Sequence, residues 1–479
     1  MFFINFFLVL VLLGPTSAGQ LPHRPDNNIL APLYGTHRHQ DLVPDSYIVR
    51  LIKNYTLASH FARCGVDLSR TSHDFEEIPI LRSYRARLDN FTVNQLVRTD
   101  PGVEYVEHDF YIEQPSFVTN DTVQKPDTHP SLTTPNHLKR WRAGNIANAD
   151  YALHMITAGR RLDAELSNYD VRTLRNPGTG VNAYVLDTGV SITHNAFGRR
   201  ASNFRGMRTT PYCASGDLTM SDHIGHGTNV ASLIAGGSRD LSISFANIIN
   251  TKIWCSNRAV ESRISEAIAD ITADHRMNVL GARKSGFKGS IINLSVGISD
   301  MGRTLRTAIE DASEWGVVIV VAAPNMRVSA SIDPLCSHPS TICVASCTQS
   351  YQWVHGGAYG PGIQIIAPGR DLLVARRDDD ETLSIMSGTS MAAPIVASVL
   401  TNFIGYEGIM RDSEKVRRRM FDNSLPNIIT DVPENTSNLF INIPTNGLRA
   451  IRGPPYIGAP LQSLRCARCF TGRSNGFDK

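Results

Sequence analysis

A carboxylate, an imidazole and a hydroxyl occur in that chain order in three short segments. These are Asp187-Thr188-Gly189, His226-Gly227-Thr228 and Gly388-Thr389-Ser390-Met391-Ala392-Ala393-Pro394. A neutral serine is a weak nucleophile; it needs a base to take its proton and an acid to orient that base. Each segment also sits where its chemistry has support. Asp187 ends the apolar run from Asn182 to Leu186, which reads as a buried strand. His226 and Ser390 each open a run of small and aliphatic residues, 227–235 and 391–400, which reads as a helix. A serine at a helix N-terminus lies beside free N–H groups and the positive end of the dipole. Both can stabilise negative charge on a carbonyl oxygen under attack.

The order Asp–His–Ser is that of subtilisin. On these three segments the chain resembles a subtilisin-family serine protease, nearest to the secreted proteinase K-like branch. Asp-Thr-Gly or His-Gly-Thr alone is a weak signal, whereas Gly-Thr-Ser-Met-Ala-Ala-Pro is a strong one. The resemblance implies Asp187, His226 and Ser390 as catalytic residues. It implies an oxyanion hole made by the Ser390 N–H and Asn325, in Ala322-Ala-Pro-Asn325. The family has Gly before this Asn; here it is Pro324, which fixes φ and removes a donor. Asn293-Leu-Ser-Val-Gly297 resembles the segment whose backbone binds substrate as an added strand, so Ser295, Val296 and Gly297 are the substrate-binding residues implied.

The elements that must position these residues alternate between strand and helix. Strands are expected at Val181–Leu186, Ile248–Trp254, Ser290–Ser295, Val317–Ala323 and Ile363–Ile366, and helices at Ser262–His275 and Thr304–Trp315. This is an α/β fold, a mostly parallel, doubly wound sheet with helices on both faces, and such sheets place sites beyond the carboxyl ends of their strands. Before it, strand-like runs at Tyr47–Ile52, Ser83–Leu88 and Val103–Asp109 and helix-like runs at Leu57–Cys64 and Thr92–Val97 suggest a small α+β unit. That unit resembles the inhibitory propeptide of subtilases, an intramolecular inhibitor; an unrelated N-terminal binding domain is the alternative.

The expected organisation is a signal peptide at 1–18, a propeptide-like domain at 42–113, a linker at 114–136, a subtilisin-like catalytic domain at 137–448 and a tail at 449–479 without assigned structure. Phe2–Leu13 is apolar throughout and Thr16-Ser17-Ala18 offers a cleavage site, although no Lys or Arg precedes the run. A secreted, extracellular protein follows, expected to be a monomer. A formal net charge of +3 favours neither a nucleic acid nor a membrane partner. Lys415-Val-Arg-Arg-Arg419 reads as a solvated helix face, and Asp378-Asp-Asp-Glu381 as a polar hairpin tip.

Eight cysteines in a secreted chain point to disulfides, and the propeptide resemblance implies a zymogen. The resemblance implies the pair Cys213–Cys255. Cys336, Cys343 and Cys347 cluster; Cys466 and Cys469 stand in the tail. Family members often bind calcium through an Asp before a Pro-Gly segment; here Gln364 stands there, so structural calcium is not assignable and no metal residue is named. Bond cleavage needs no cofactor. Among the sequons, Asn293 falls in a core strand, which leaves Asn435 as the best glycosylation candidate on the mature chain. The reading is a serine endopeptidase hydrolysing polypeptide substrates through an acyl-enzyme and maturing by self-cleavage. The alternative is a catalytically dead subtilase-like binding or inhibitory protein, which the intact Asp–His–Ser set opposes and Pro324 favours.

Overall fold

A computed structural model describes residues 30–36, 41–113, 145–147, 151–159, 170–172, 177–205, 219–237, 241–256 and 258–443. The signal-like segment, the linker 114–136, Cys213 and the tail with Cys466 and Cys469 lie outside these residues.

Runs of β-branched and aliphatic residues with no polar alternation are buried on both faces, which only a covered sheet allows. Val181–Asp187, Gly289–Leu294, Val318–Ala322, Thr341–Cys347 and Ile365–Pro368 are such runs, and nearly every position in them is buried. They belong to one nine-stranded sheet of the described residues. Its order is Leu425–Pro426, Leu439–Phe440, Ile365–Pro368, Thr341–Cys347, Val318–Ala322, Gly289–Leu294, Val181–Asp187, Asn247–Lys252, Ala201–Asn203. All neighbours are parallel except the first pair. The helices His226–Ala235 and Thr389–Glu407 pack together on one face; Glu261–Ser285 and Arg303–Glu314 pack together on the other. The sheet is therefore mostly parallel with helices on both faces, as in the subtilisin fold. The strand Thr341–Cys347 was absent from the sequence expectation, because Cys343 and Cys347 read there as a cysteine cluster.

Residues 31–36 and 41–113 form a second sheet with its own core. Strand order is Leu33–Tyr34, Val103–Glu113, Leu42–Leu51, Ser83–Arg87, Glu76–Ile78. Tyr47, Val49, Leu51, Tyr84, Ala86, Val93, Val97 and Val106 fill the space between this sheet and its helices. The helix Leu57–Cys64 runs where expected: Thr56 caps it, accepting from Ser59 N at 3.1 Å, and left-handed Gly65 ends it.

The two sheets are joined by packing and by charge. Phe110 and Ile112 belong to the larger core, not to the smaller one; burying each contributes about 1.5–3 kcal/mol. Glu107 accepts from Arg303 N, Thr304 N and the Thr304 hydroxyl at 2.7, 3.0 and 2.9 Å. Asp109 accepts from Ser262 N at 3.1 Å and its hydroxyl at 2.5 Å. Each carboxylate thus sits on the N-terminus of a helix, where free N–H groups and the dipole favour an anion. Burial nevertheless pushes both pKa values above the ordinary carboxylate range.

Asp378–Glu381 is the tip of the antiparallel hairpin Leu372–Ala375 with Leu383–Met386, as expected. The basic run 415–419 lies on the helix Ser413–Asn423, but it is not simply a solvated face. Arg417 turns inward and donates to the Gln364 side-chain oxygen at 3.1 Å and to Thr341 O at 3.0 Å. A guanidinium therefore faces the oxygen that a calcium site would need. Among the described residues, no helix is long and apolar enough to cross a membrane.

Candidate active site

Asp187 is the last residue of its strand, and His226 the first residue of its helix. The His226 Nδ1 atom lies 2.8 and 2.9 Å from the two Asp187 carboxylate oxygens. An ionised carboxylate only accepts, so Nδ1 is the ring nitrogen that carries the proton toward Asp187. Both side chains are almost wholly buried, which strengthens the pair electrostatically.

The close approach of strand end and helix start requires glycine. A Cβ on Gly227 would lie 2.1 Å from Gly189 O, and Gly189 itself has φ +114°. Thr188 and Asp222 complete the junction. Gly227 N donates to the Thr188 hydroxyl at 2.9 Å, and that hydroxyl donates to Asp222 at 2.8 Å. Asp222 also accepts from Gly225 N, Thr228 N and the Thr228 hydroxyl. The sequence reading missed Asp222; it precedes His226 by four residues and has no local periodicity to mark it.

Ser390 is the second residue of Thr389–Glu407, after Gly388. The helix starts earlier than the sequence suggested, so Pro394 falls in its second turn rather than its first. Proline has no N–H to give to the carbonyl four residues back. That carbonyl, Ser390 O, accepts instead from the Ser295 hydroxyl at 3.2 Å, and Asn293 Nδ2 donates to the Ser295 hydroxyl at 2.9 Å. The segment Ser295–Gly297 is thereby tied to the serine's own helix.

Asn325 lies against the start of that helix. Its Oδ1 accepts from Thr389 N at 3.0 Å and the Thr389 hydroxyl at 2.9 Å. Its Nδ2 is left as a donor. A methyl group built on Gly388 would be 3.5 Å from Asn325 Nδ2 and 3.8 Å from Ser390 N. The Asn325 amide, with Oδ1 at 3.6 Å, and Ser390 N therefore both approach one small position. Pro324 O accepts from Ala358 N at 3.0 Å, which anchors the loop.

Ser295 and Val296 are buried and follow the strand Gly289–Leu294. The described chain places no strand on them. The strand Val103–Glu113 instead pairs antiparallel with Arg258–Val260, aligning Tyr111 with Val260 and Glu113 with Arg258. This short edge strand was not expected, since three residues carry no pattern to detect.

Cys336 and Cys343 form a disulfide, while Cys64 and Cys347 are free and buried. Cys255 is disulfide-bonded; Cys213, its expected partner, lies outside the described residues. His60, Cys64 and Asp100, all buried in the smaller core, bring ligand atoms within 4.8 Å of one another. They could coordinate a metal, but no ion is assignable: Asp100 already accepts from Tyr55 and Gly102 N, lies 2.6 Å from His60 Nδ1, and burial pushes the Cys64 thiol up to about 12.

The subtilase family model (Peptidase S8) matches residues 178–440, which hold all three segments. The chain belongs to the subtilase family. It is 28% identical to cerevisin of Saccharomyces cerevisiae over 72% of this chain and 51% of that protein. It is 27% identical to a subtilisin-like protease of Coccidioides posadasii over 85% of this chain and 82% of that one. The match thus spans about half the length of cerevisin and four fifths of the Coccidioides protease. The crystal structure of a cold adapted subtilisin-like serine proteinase matches with a TM-score of 0.52 at 26% identity, covering 62% of this chain and 98% of that one. This homology to subtilisin-like serine proteases supports a hydrolase.

Proposed function

We propose that the protein is a secreted serine endopeptidase of the proteinase K-like branch, with Asp187, His226 and Ser390 as its triad. The observation that most supports this reading is that the helix opened by His226, which pairs with Asp187, packs against the helix that begins at Thr389-Ser390.

In the proposed reaction Ser390 Oγ attacks the scissile carbonyl carbon while His226 Nε2 takes the hydroxyl proton. The C=O electron pair moves onto oxygen, where Asn325 Nδ2 and Ser390 N donate to it. Collapse breaks the C–N bond, and His226 returns the proton to the leaving amine, leaving an acyl-enzyme. Water then repeats the sequence and frees Ser390. Asp187 orients His226 and stabilises its cation. Ser295, Val296 and Gly297 pair with the substrate backbone on one side, and Arg258–Val260 on the other.

Residues 42–113 act as an inhibitory propeptide in this reading. Pairing of Tyr111–Glu113 with Arg258–Val260 supports it, since that is how an extended peptide adds to an open strand edge. Self-cleavage falls in the first part of the linker after Glu113, and secretion rests on the signal-like segment 1–18. The test is to incubate the secreted protein with casein and with a serine-directed fluorophosphonate. Casein cleavage and labelling at Ser390 are expected; a correctly folded protein, freed of residues 1–113, that does neither is the binding protein of the alternative reading.

A further inference from the structure

The carboxylate of Asp333 lies where two parts of the proposed site meet. Asp333 follows the Pro324–Asn325 loop and precedes the disulfide Cys336–Cys343. It is 2% exposed. Oδ1 accepts from Leu335 N at 2.8 Å and Cys336 N at 3.2 Å, which fixes the carboxylate to its own turn. Oδ2 reaches across 35 residues of sequence and accepts from Ile298 N at 3.1 Å. A methyl on Gly297 would come 3.1 Å from Oδ2 and 3.8 Å from Pro324 Cγ. The sheet strand ends at Leu294, so Gly297 and Ile298 lie beyond its ladder. One carboxylate thus links the far end of the substrate-pairing segment to a turn that the disulfide staples to the strand Thr341–Cys347.

We propose that Asp333 is a positioning residue for substrate binding, holding Ser295–Gly297 at a fixed distance from the loop that carries Asn325. The proposal rests on the protease reading. Its bonds go to backbone N–H groups and not to Asp187, His226, Ser390 or Asn325, so its loss weakens substrate pairing more than bond breaking. Removing it leaves Ile298 N buried without its acceptor and frees the segment's end, and ordering that end again on binding costs entropy.

Titration supplies a distinctive readout. Burial pushes the Asp333 pKa up to about 6, against the lowering effect of the three N–H donors, and no charged group is among the causes. The groups facing it are Ile298 N, Leu335 N, Cys336 N, the Gly297 backbone and the Pro324 ring; Cys336 is in a disulfide and does not titrate. Protonation places an O–H where N–H groups point. The folded pKa exceeds the ordinary 3.8, so this group's contribution to stability falls as pH rises through the window between the two and grows as pH falls. Substrate affinity moves the other way, weakening as pH falls through about 6. A general loss of fold therefore does not mimic the effect.

The test measures KM and kcat separately for matured wild type, Asp333→Asn and Asp333→Ala, on a chromogenic peptide from about pH 8 down to about pH 5.5. At the upper pH, Asp333→Asn is expected to raise KM about 5- to 20-fold and to leave kcat within about threefold. Wild-type KM is expected to rise several-fold at the acid end, and that of Asp333→Asn to stay flat. Any pH effect common to both enzymes cancels in their ratio. An Asn variant with wild-type KM, a fall in kcat at constant KM, or an unchanged acid rise in the variant overturns the proposal. If neither variant matures, the wild type decides: a flat KM over this range overturns it. Fluorophosphonate labelling separates the two readings, because an unlabelled wild type sinks the protease reading, whereas labelled variants with normal KM sink this one.

Discussion

Asn325 uses the two ends of one amide differently. Its oxygen is taken up by Thr389, which fixes the rotamer, and its Nδ2, like Ser390 N, approaches Gly388. A donor held this way matters in the transition state and little in the ground state. Asn325→Ala is therefore expected to lower kcat about 10²–10³-fold with KM nearly unchanged, the size found for one such donor in subtilisin; normal kcat would remove Asn325 from the mechanism. Pro324 presets a loop that already has its backbone bond to Ala358. Pro324→Gly is expected to keep activity within about tenfold and to lose a little stability through a freer unfolded chain, and a marked gain in activity would mean that proline obstructs the hole. Gly388 is the third test at this scale. Its φ is +138°, and a Cβ would sit between the two donors. Gly388→Ala is expected to cost about 1–3 kcal/mol of stability through strain and to abolish fluorophosphonate labelling; a Gly388→Ala enzyme that is labelled and active would place the oxyanion elsewhere.

Whole elements are positioned by carboxylates from the N-terminal unit. The helix Arg303–Glu314 has no side-chain cap of its own at Gly302. Glu107 supplies one, and Asp109 does the same for Glu261–Ser285. A separate fragment 42–113 is expected to inhibit the matured enzyme. Glu107→Ala in that fragment is expected to raise its inhibition constant about 10- to 100-fold, since water replaces the carboxylate at the freed donors and leaves a net loss about the size of one hydrogen bond to a charged group, about 1.5–3 kcal/mol. Equal inhibition by both fragments would mean that Phe110 and Ile112 alone hold the unit in place. The serine's helix shows the converse economy: Pro394 withholds an N–H, and the released carbonyl serves Ser295.

At the scale of the whole molecule, the proposed nucleophile and the proposed inhibitor are parts of one chain. Ser390→Ala, made free of other proteases, is expected to stay full length after signal removal, while wild type loses the region before about residue 120. Trimming of the Ala variant at the same bond would assign the cut to another enzyme. Cys255 is disulfide-bonded, and we propose Cys213 as its partner. Closing that loop of about forty residues adds roughly 3–4 kcal/mol in the chain-entropy model. Non-reducing peptide mapping checks it, and a different partner for either cysteine rejects it.

Asp187, His226 and Ser390 are legible in the sequence, because each lies at the end of a run whose pattern names its element. A strand buried on both faces and a helix start of small residues are local properties, set by neighbouring side chains. The helix face around Ile264, Ala267, Ile268 and Ile271, and the strand that holds Asn293, are legible for the same reason. Asp222, Asp333, Glu107 and Arg258–Val260 are not. Their partners stand 34, 35 and 196 residues away for the first three, and the last pairs with a strand of the other sheet. A polar side chain in a loop reads alike whether it faces water or a buried N–H, and an edge strand of three residues has no period. The sequence by itself determined which groups are the candidates for the chemistry and which elements carry them. Tertiary structure decided which carboxylates hold those elements together, because a buried N–H must find an acceptor and only the folded chain says which one is near.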